Sequence, residues 1–228
     1  MDIRYFLKER IDFVRQLYDT CAAPYIERKQ LIEARKEPFV PPYSEDAEPA
    51  FLDEWIEAEE SLQFLGRACL SMLAASFKLY FVEWVAQLGV PVDNGLKKTA
   101  FKPGWFHGYK AYFAQHFNIR FENSPANLAI LEEIVLVRNN TEHPASITLQ
   151  TPRYVKKDLE KLRHPFFMDD YERNVLAAAE ADGFSLLMPP RIHVSKEELS
   201  AALSEVEKFA QWLETTDHPG LTPSNRST

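Results

Sequence analysis

Apolar positions along this chain recur at helical rather than strand spacing. Ile3, Phe6, Leu7, Ile11, Phe13, Val14, Leu17 and Tyr18 return every third or fourth residue, which predicts a long helix over residues 2–36. Pro24 is expected to kink or divide it, after which Ile26, Leu31 and Ile32 resume the rhythm. Residues 37–49 carry Pro38, Pro41, Pro42 and Pro49 and read as a loop. A second long helix is predicted from about Phe51 to Leu88. It is apolar on one side at Leu52, Trp55, Ile56, Leu62 and Leu65, and apolar nearly all round over residues 69–85. Gly89, Val90 and Pro91 end it. Two such helices in succession predict an antiparallel pair on which a bundle is built.

Residues 90–104 read as a basic loop, and Trp105–Phe117 as a short helix with Phe106, Phe113 and Phe117 facing inward. A core helix follows, with Ser124 as its N-cap, Pro125 at its first position and Leu128, Leu131, Ile134, Val135 and Val137 as its apolar face. That rhythm stops at Arg138-Asn139-Asn140-Thr141-Glu142-His143, and Pro144 prevents the helix from continuing. Residues 145–149 are β-branched and suit a short strand, and residues 171–181 suit a helix. Residues 184–188 and 191–194 flank Pro189-Pro190 and are placed to pair as a small β appendage. Ser195 with Glu198 forms a capping box that opens a last helix to about Thr215. The fold expected is all-α: an antiparallel helical bundle over residues 1–215, with a small β appendage in the C-terminal third and a disordered tail over 216–228.

Composition narrows the function. At 228 residues and 46% hydrophobic the chain can bury a full core, and seven glycines are few for the many tight turns of an all-β protein. The charged start MDIRYFLKER has no apolar signal core, and Cys21 and Cys69 form no C-x-x-C, so a reducing cytoplasm is expected. The apolar run 68–86 is interrupted by Lys78 and Glu83 and reads as an internal bundle helix rather than a membrane span. A net charge of −8 argues against a protein that coats nucleic acid through a global field. A local site is compatible with it, because the charge is segregated. Residues 37–60 hold nine acids and no lysine or arginine, whereas residues 95–121 hold Lys97, Lys98, Lys102, Lys110 and Arg120 and no acid. A second basic patch, with Lys156, Lys157, Lys161, Arg163 and His164, lies in residues 150–173.

A guanidinium, an amide and an imidazole thus arrive together at one helix end. Arginine, four residues beginning with a polar one, then histidine, closing a helix of an all-α chain, resembles the signature of HEPN domains (higher eukaryotes and prokaryotes nucleotide-binding). The resemblance covers residues 51–144 and, more loosely, the first helix. It implies a HEPN-like bundle and a metal-independent endoribonuclease without cofactor, often a toxin or antiviral defence effector. It also implies RNA as substrate, a homodimer whose two motifs face one shared cleft, and an antitoxin protein as a partner. Carried onto this chain, the catalytic residues are Arg138, Asn139 and His143. One form of control is not expected: HEPN toxins silenced by nucleotidylation carry tyrosine two residues after the histidine, and Ala145 stands there.

The residues themselves agree with that chemistry. The chain has no H-E-x-x-H, nucleophile elbow, Walker loop or G-x-G-x-x-G, and no cysteine cluster for zinc. Attack of a ribose 2′-hydroxyl on its own phosphate requires only proton transfer and charge stabilisation. His143 suits the first, Arg138 the second, and Asn139 would orient His143 or a phosphate oxygen. Glu142 is expected to face water. On a regular helix Arg138 and His143 lie roughly 140° apart, so a common site needs a distorted last turn or a second copy. Trp105, His107, Lys110 and Lys102 are the candidate RNA contacts, since aromatics among bases suit stacking and phosphate neutralisation. The alternative is a non-catalytic helical module that binds a nucleotide or a protein through the same residues.

Overall fold

A computed structural model describes residues 2–43, 48–143, 151–162, 164–181 and 189–216. Helix α1 (Ile3–Glu33) opens at Asp2, whose carboxylate accepts from the Tyr5 amide at 2.9 Å. It runs unbroken past Pro24. Both Pro24 and Thr20, whose carbonyl loses its donor there, are exposed, so water can satisfy the orphaned group. Helix α2 (Leu52–Leu88) returns antiparallel to α1 and ends at Gly89, whose φ of 67° suits glycine. Lys29 pairs with Glu59 at 2.5 Å, and the Trp55 indole donates to Glu33 at 2.9 Å, which fixes the register of the hairpin.

The segment expected to be a bare basic loop contains a one-turn helix, α3 (Asn94–Lys98), because Asp93 caps it by accepting from the Leu96 amide at 2.8 Å. Helix α4 (Trp105–Phe117) follows. Helix α5 (Leu128–Glu142) begins later than its sequence suggests. Ser124 spends its hydroxyl on a tight turn, accepting from the Ala126 amide at 3.1 Å, and Asn127 caps α5 by accepting from Ala129 at 3.1 Å. Helices α6 (Lys156–Lys161) and α7 (Asp170–Ala181) precede α8 (Lys196–Thr215), where the Ser195–Glu198 capping box forms in both directions. Helix α8 lies along the hairpin and antiparallel to α1, with Arg4 paired to Glu214 at 2.9 Å and Lys196 to Asp19 at 2.7 Å.

Among the described residues there is no strand. Arg153 and Arg191 form an isolated antiparallel bridge, in which the Tyr154 amide donates to Pro190 and the Ile192 amide to Pro152. Residues 191–194 therefore meet residues 152–154, while their expected partner 184–188, the short strand expected at 145–149, and the tail from 217 lie outside the described residues.

The core is aromatic and centres on Phe81. Tyr109 stacks on it at 4.8 Å and Phe121 at 5.8 Å, with Phe77, Phe106, Phe113 and Phe209 around them. Each fully buried ring contributes roughly 2–3 kcal/mol of transfer free energy, so this cluster is what joins α2, α4 and α8. Two local devices hold the remaining segments. Gly66 lets the chain at Val194 approach α2 so closely that an added Cβ would sit 2.4 Å from the Val194 carbonyl oxygen. Gly66→Ala should cost about 1–3 kcal/mol, as overpacking does, and lower the urea midpoint; an unchanged midpoint would mean that residues 192–195 move aside freely. The second device is Glu133, 1% exposed on α5, which accepts from the Tyr154 hydroxyl at 2.5 Å and the Phe166 and Phe167 amides at 2.9 Å. It anchors both flanks of α6 to α5.

Candidate nucleic-acid interface

Helix α5 buries Ile130, Leu131, Ile134, Val135 and Val137, which leaves its last turn to project polar groups. That turn stays regular: His143 is the C-cap and its amide donates to the Asn139 carbonyl at 3.0 Å. Arg138 donates to the Asn139 side-chain oxygen at 3.1 Å and forms an ion pair with Glu142, one turn on. Glu142 faces water as expected and is also the partner of Arg138, because the i,i+4 spacing on an unbroken helix puts the two on one face. His143 is exposed, and among the described residues its side chain has no hydrogen bond or ion pair. Among the described residues no hydrogen bond joins Arg138 to His143, and the regular last turn sets them on different faces.

Asn139 is placed differently. It lines a cavity of about 250 Å³ with His107, Glu132, Asn140 and Lys161. Asn140 donates to Asp158 at 3.1 Å and so ties this helix end to α6. The cavity shares Pro103, His107, Glu132 and Lys161 with a larger groove of about 1380 Å³, which Lys102, Lys110, Arg120 and Lys157 also line. Six basic side chains therefore border one depression, and the two basic stretches of the sequence face each other across it. Lys157 and Lys161 stand one turn apart on α6, so both present to the groove. Two carboxylates enter the same lining, Glu122 and Glu132. Lys110 pairs with Glu122 at 2.8 Å, and its hydrogen bond holds that carboxyl below the usual range.

Of the residues expected to contact RNA, Lys102, His107 and Lys110 line the groove. Trp105 does not: its indole packs edge-on against Phe77 and Phe106 and within 6.0 Å of Phe81 in the core. Arg120, Lys157 and Lys161, which the sequence placed in the two basic stretches but not among the candidate RNA contacts, join the site. The signal available was the freedom from acid of residues 95–121 and the lysine spacing of 157 and 161. Among the described residues, no group of three or more histidine, cysteine, aspartate or glutamate side chains is placed to hold a metal ion. Compared with models of known protein families, with curated proteins and with solved structures, the chain matches none of them. The molecule is defined by its own architecture, a predominantly helical protein with a basic groove beside the polar end of a core helix.

Proposed function

We propose that this chain is a HEPN-like RNA-binding protein that acts as a metal-independent endoribonuclease. The observation that supports this reading is the groove: two sequence-distant basic stretches meet in one depression whose inner end reaches Asn139 of the motif. A single strand lying there sets its phosphates against Lys102, Arg120, Lys157 and Lys161. In the reaction the ribose 2′-hydroxyl attacks its neighbouring phosphorus and the bond to the 5′-oxygen breaks, leaving a 2′,3′-cyclic phosphate and a 5′-hydroxyl. His143 takes the 2′ proton or delivers one to the leaving oxygen. Asn139, on the same face as His143, orients that imidazole or a phosphate oxygen. Arg138 stabilises the added charge once a phosphate replaces Glu142 at its guanidinium.

A second reading rests on the Arg138–Glu142 pair and the regular last turn, which keep the cation off the imidazole's face. It makes the chain a non-catalytic module that holds a nucleotide or a protein partner through the same surface. Wild type, Arg138→Ala and His143→Ala, assayed on RNA with chelator present, separate the two. The nuclease reading expects chelator-resistant cleavage that falls about 10²-fold or more in each variant. Equal cleavage by all three would overturn the residue assignment, and a folded wild type that binds RNA without cutting it would leave the second reading.

A further inference from the structure

We infer that two copies of this chain pair through the outer face of the α1–α2 hairpin, forming a four-helix bundle. On α2, Phe64, Met72, Leu79 and Val82 are 68%, 37%, 45% and 42% exposed, and Ala68, Ala75 and Ala86 continue their spacing. At 100° per residue Leu79 lies about 160° around the helix from Phe77 and from Phe81, so this stripe faces away from the aromatic core. On α1, Phe6 and Phe13 are 52% and 57% exposed, one heptad apart and so on one face. The two stripes are neighbours. Phe6 and Leu79 line one shallow cavity with Arg10 and Glu83, and Cys21 and Phe64 line another at the far end of the hairpin.

The area approaches what a dimer needs. The six large side chains leave roughly 600 Å² of apolar surface uncovered, the top of the range for the largest patch on a monomer. A stable interface takes about 800 Å² from each partner, so the patch supplies most of it. Its shape suits a second copy. An apolar hairpin face laid on its own two-fold mate closes a four-helix bundle. With α2 against α2 in antiparallel register, Met72 faces Ala75 of the partner subunit and Ala68 faces Leu79 of the partner subunit. In these two pairs a large residue meets a small one, as a knob meets a hole, while Phe64 lies opposite Glu83 of the partner subunit. A bilayer fits less well, although α2 is long and apolar enough to cross one and half of its most apolar window is buried. The stripes are bordered by Glu57, Glu60 and Glu83 against Arg10, an acidic excess that anionic headgroups would repel. Because α4 packs on Phe77 and Phe81, on the other side of α2, this pairing leaves both grooves open on the outside. It differs from the shared cleft that the HEPN resemblance implies, so the ribonuclease reading needs a further contact between copies to bring two motifs together.

Light scattering on the full chain tests it, with reductant present to keep exposed Cys21 from cross-linking. Wild type is expected at the mass of two chains, and Ala75→Arg and Phe64→Glu at the mass of one, with helical circular dichroism retained. Ala75 is exposed on its helix, so an arginine there leaves the single chain intact. A wild type that stays at one chain at every concentration overturns the inference, as does an Ala75→Arg variant that remains at two. So does a single-chain wild type that floats with phospholipid vesicles, which would assign the face to a bilayer.

Discussion

Glu133→Ala is expected to cost about 4 kcal/mol, since it leaves two amides without their acceptor, at roughly 1–3 kcal/mol each where buried, and the Tyr154 hydroxyl with only the Phe167 carbonyl. For a chain of this length that lowers the thermal midpoint by about 10 °C. Burial pushes the Glu133 carboxyl up, and the opposing hydrogen bonds from Tyr154, Phe166 and Phe167 do not cancel it. The Tyr154 hydroxyl is raised as well, by burial first and then by the carboxylate beside it. Tyr154 has one proton and two acceptors in reach, Glu133 at 2.5 Å and the Phe167 carbonyl at 3.0 Å. A neutral Glu133 lets both contacts form, because the carboxyl donates to the phenol oxygen while the phenol donates to Phe167. A group whose folded pKa is raised stabilises most below its unfolded value, here near the ordinary 4.5, and loses that contribution as pH rises through the folded value. Glu133→Gln should therefore flatten the stability profile of wild type above pH 4.5. It should also be milder than alanine, losing only the Phe166 amide, which would face another donor. An alanine variant as stable as wild type would mean that Tyr154, Phe167 and Met168 hold this segment by apolar burial alone.

That anchor explains why half of the site could not be read from the chain. Helix boundaries set by local chemistry were legible: the capping box of α8, the glycine after α2 and the aromatic periodicity of α4 each act within one or two turns. The start of α5 was misplaced because Ser124 and Asn127 are equally good caps, and only the turn at Ala126 decides between them. Apolar residues nearly all round residues 69–85 of α2 predicted an internal bundle helix, yet Met72, Leu79 and Val82 stay exposed. Periodicity reports how much of a helix is apolar and not what covers it. Trp105 carried the same ambiguity, and the tertiary contacts with Phe77 and Phe106 settled it. The groove was illegible for a stronger reason. Lys102 and Lys157 stand some fifty residues apart, and they meet because a buried acid on α5 ties down both flanks of the short helix between them.

Lys157→Ala combined with Lys161→Ala is expected to weaken binding of single-stranded RNA roughly tenfold at moderate salt and to make it less salt-sensitive. Each phosphate neutralised on a single strand contributes about −0.7 to the slope of log K against log salt, so losing two contacts shifts the slope by about 1.4. A 2′-O-methyl oligonucleotide is the right probe, because it cannot be cut by 2′-hydroxyl attack and reports binding whether or not the chain is a nuclease. Lys97→Ala with Lys98→Ala is the matched control: it removes the same charge from exposed positions of α3 that do not line the groove. Equal losses from the two pairs would assign binding to the general field, and no loss from the α6 pair would move the RNA elsewhere. Lys110→Ala should matter less than either groove lysine on α6, because Glu122 already holds that ammonium. Glu122→Gln reverses the logic. It frees Lys110, removes one of the two carboxylates in the lining and should tighten binding, so the sign of its effect reports whether phosphate passes between α4 and α6.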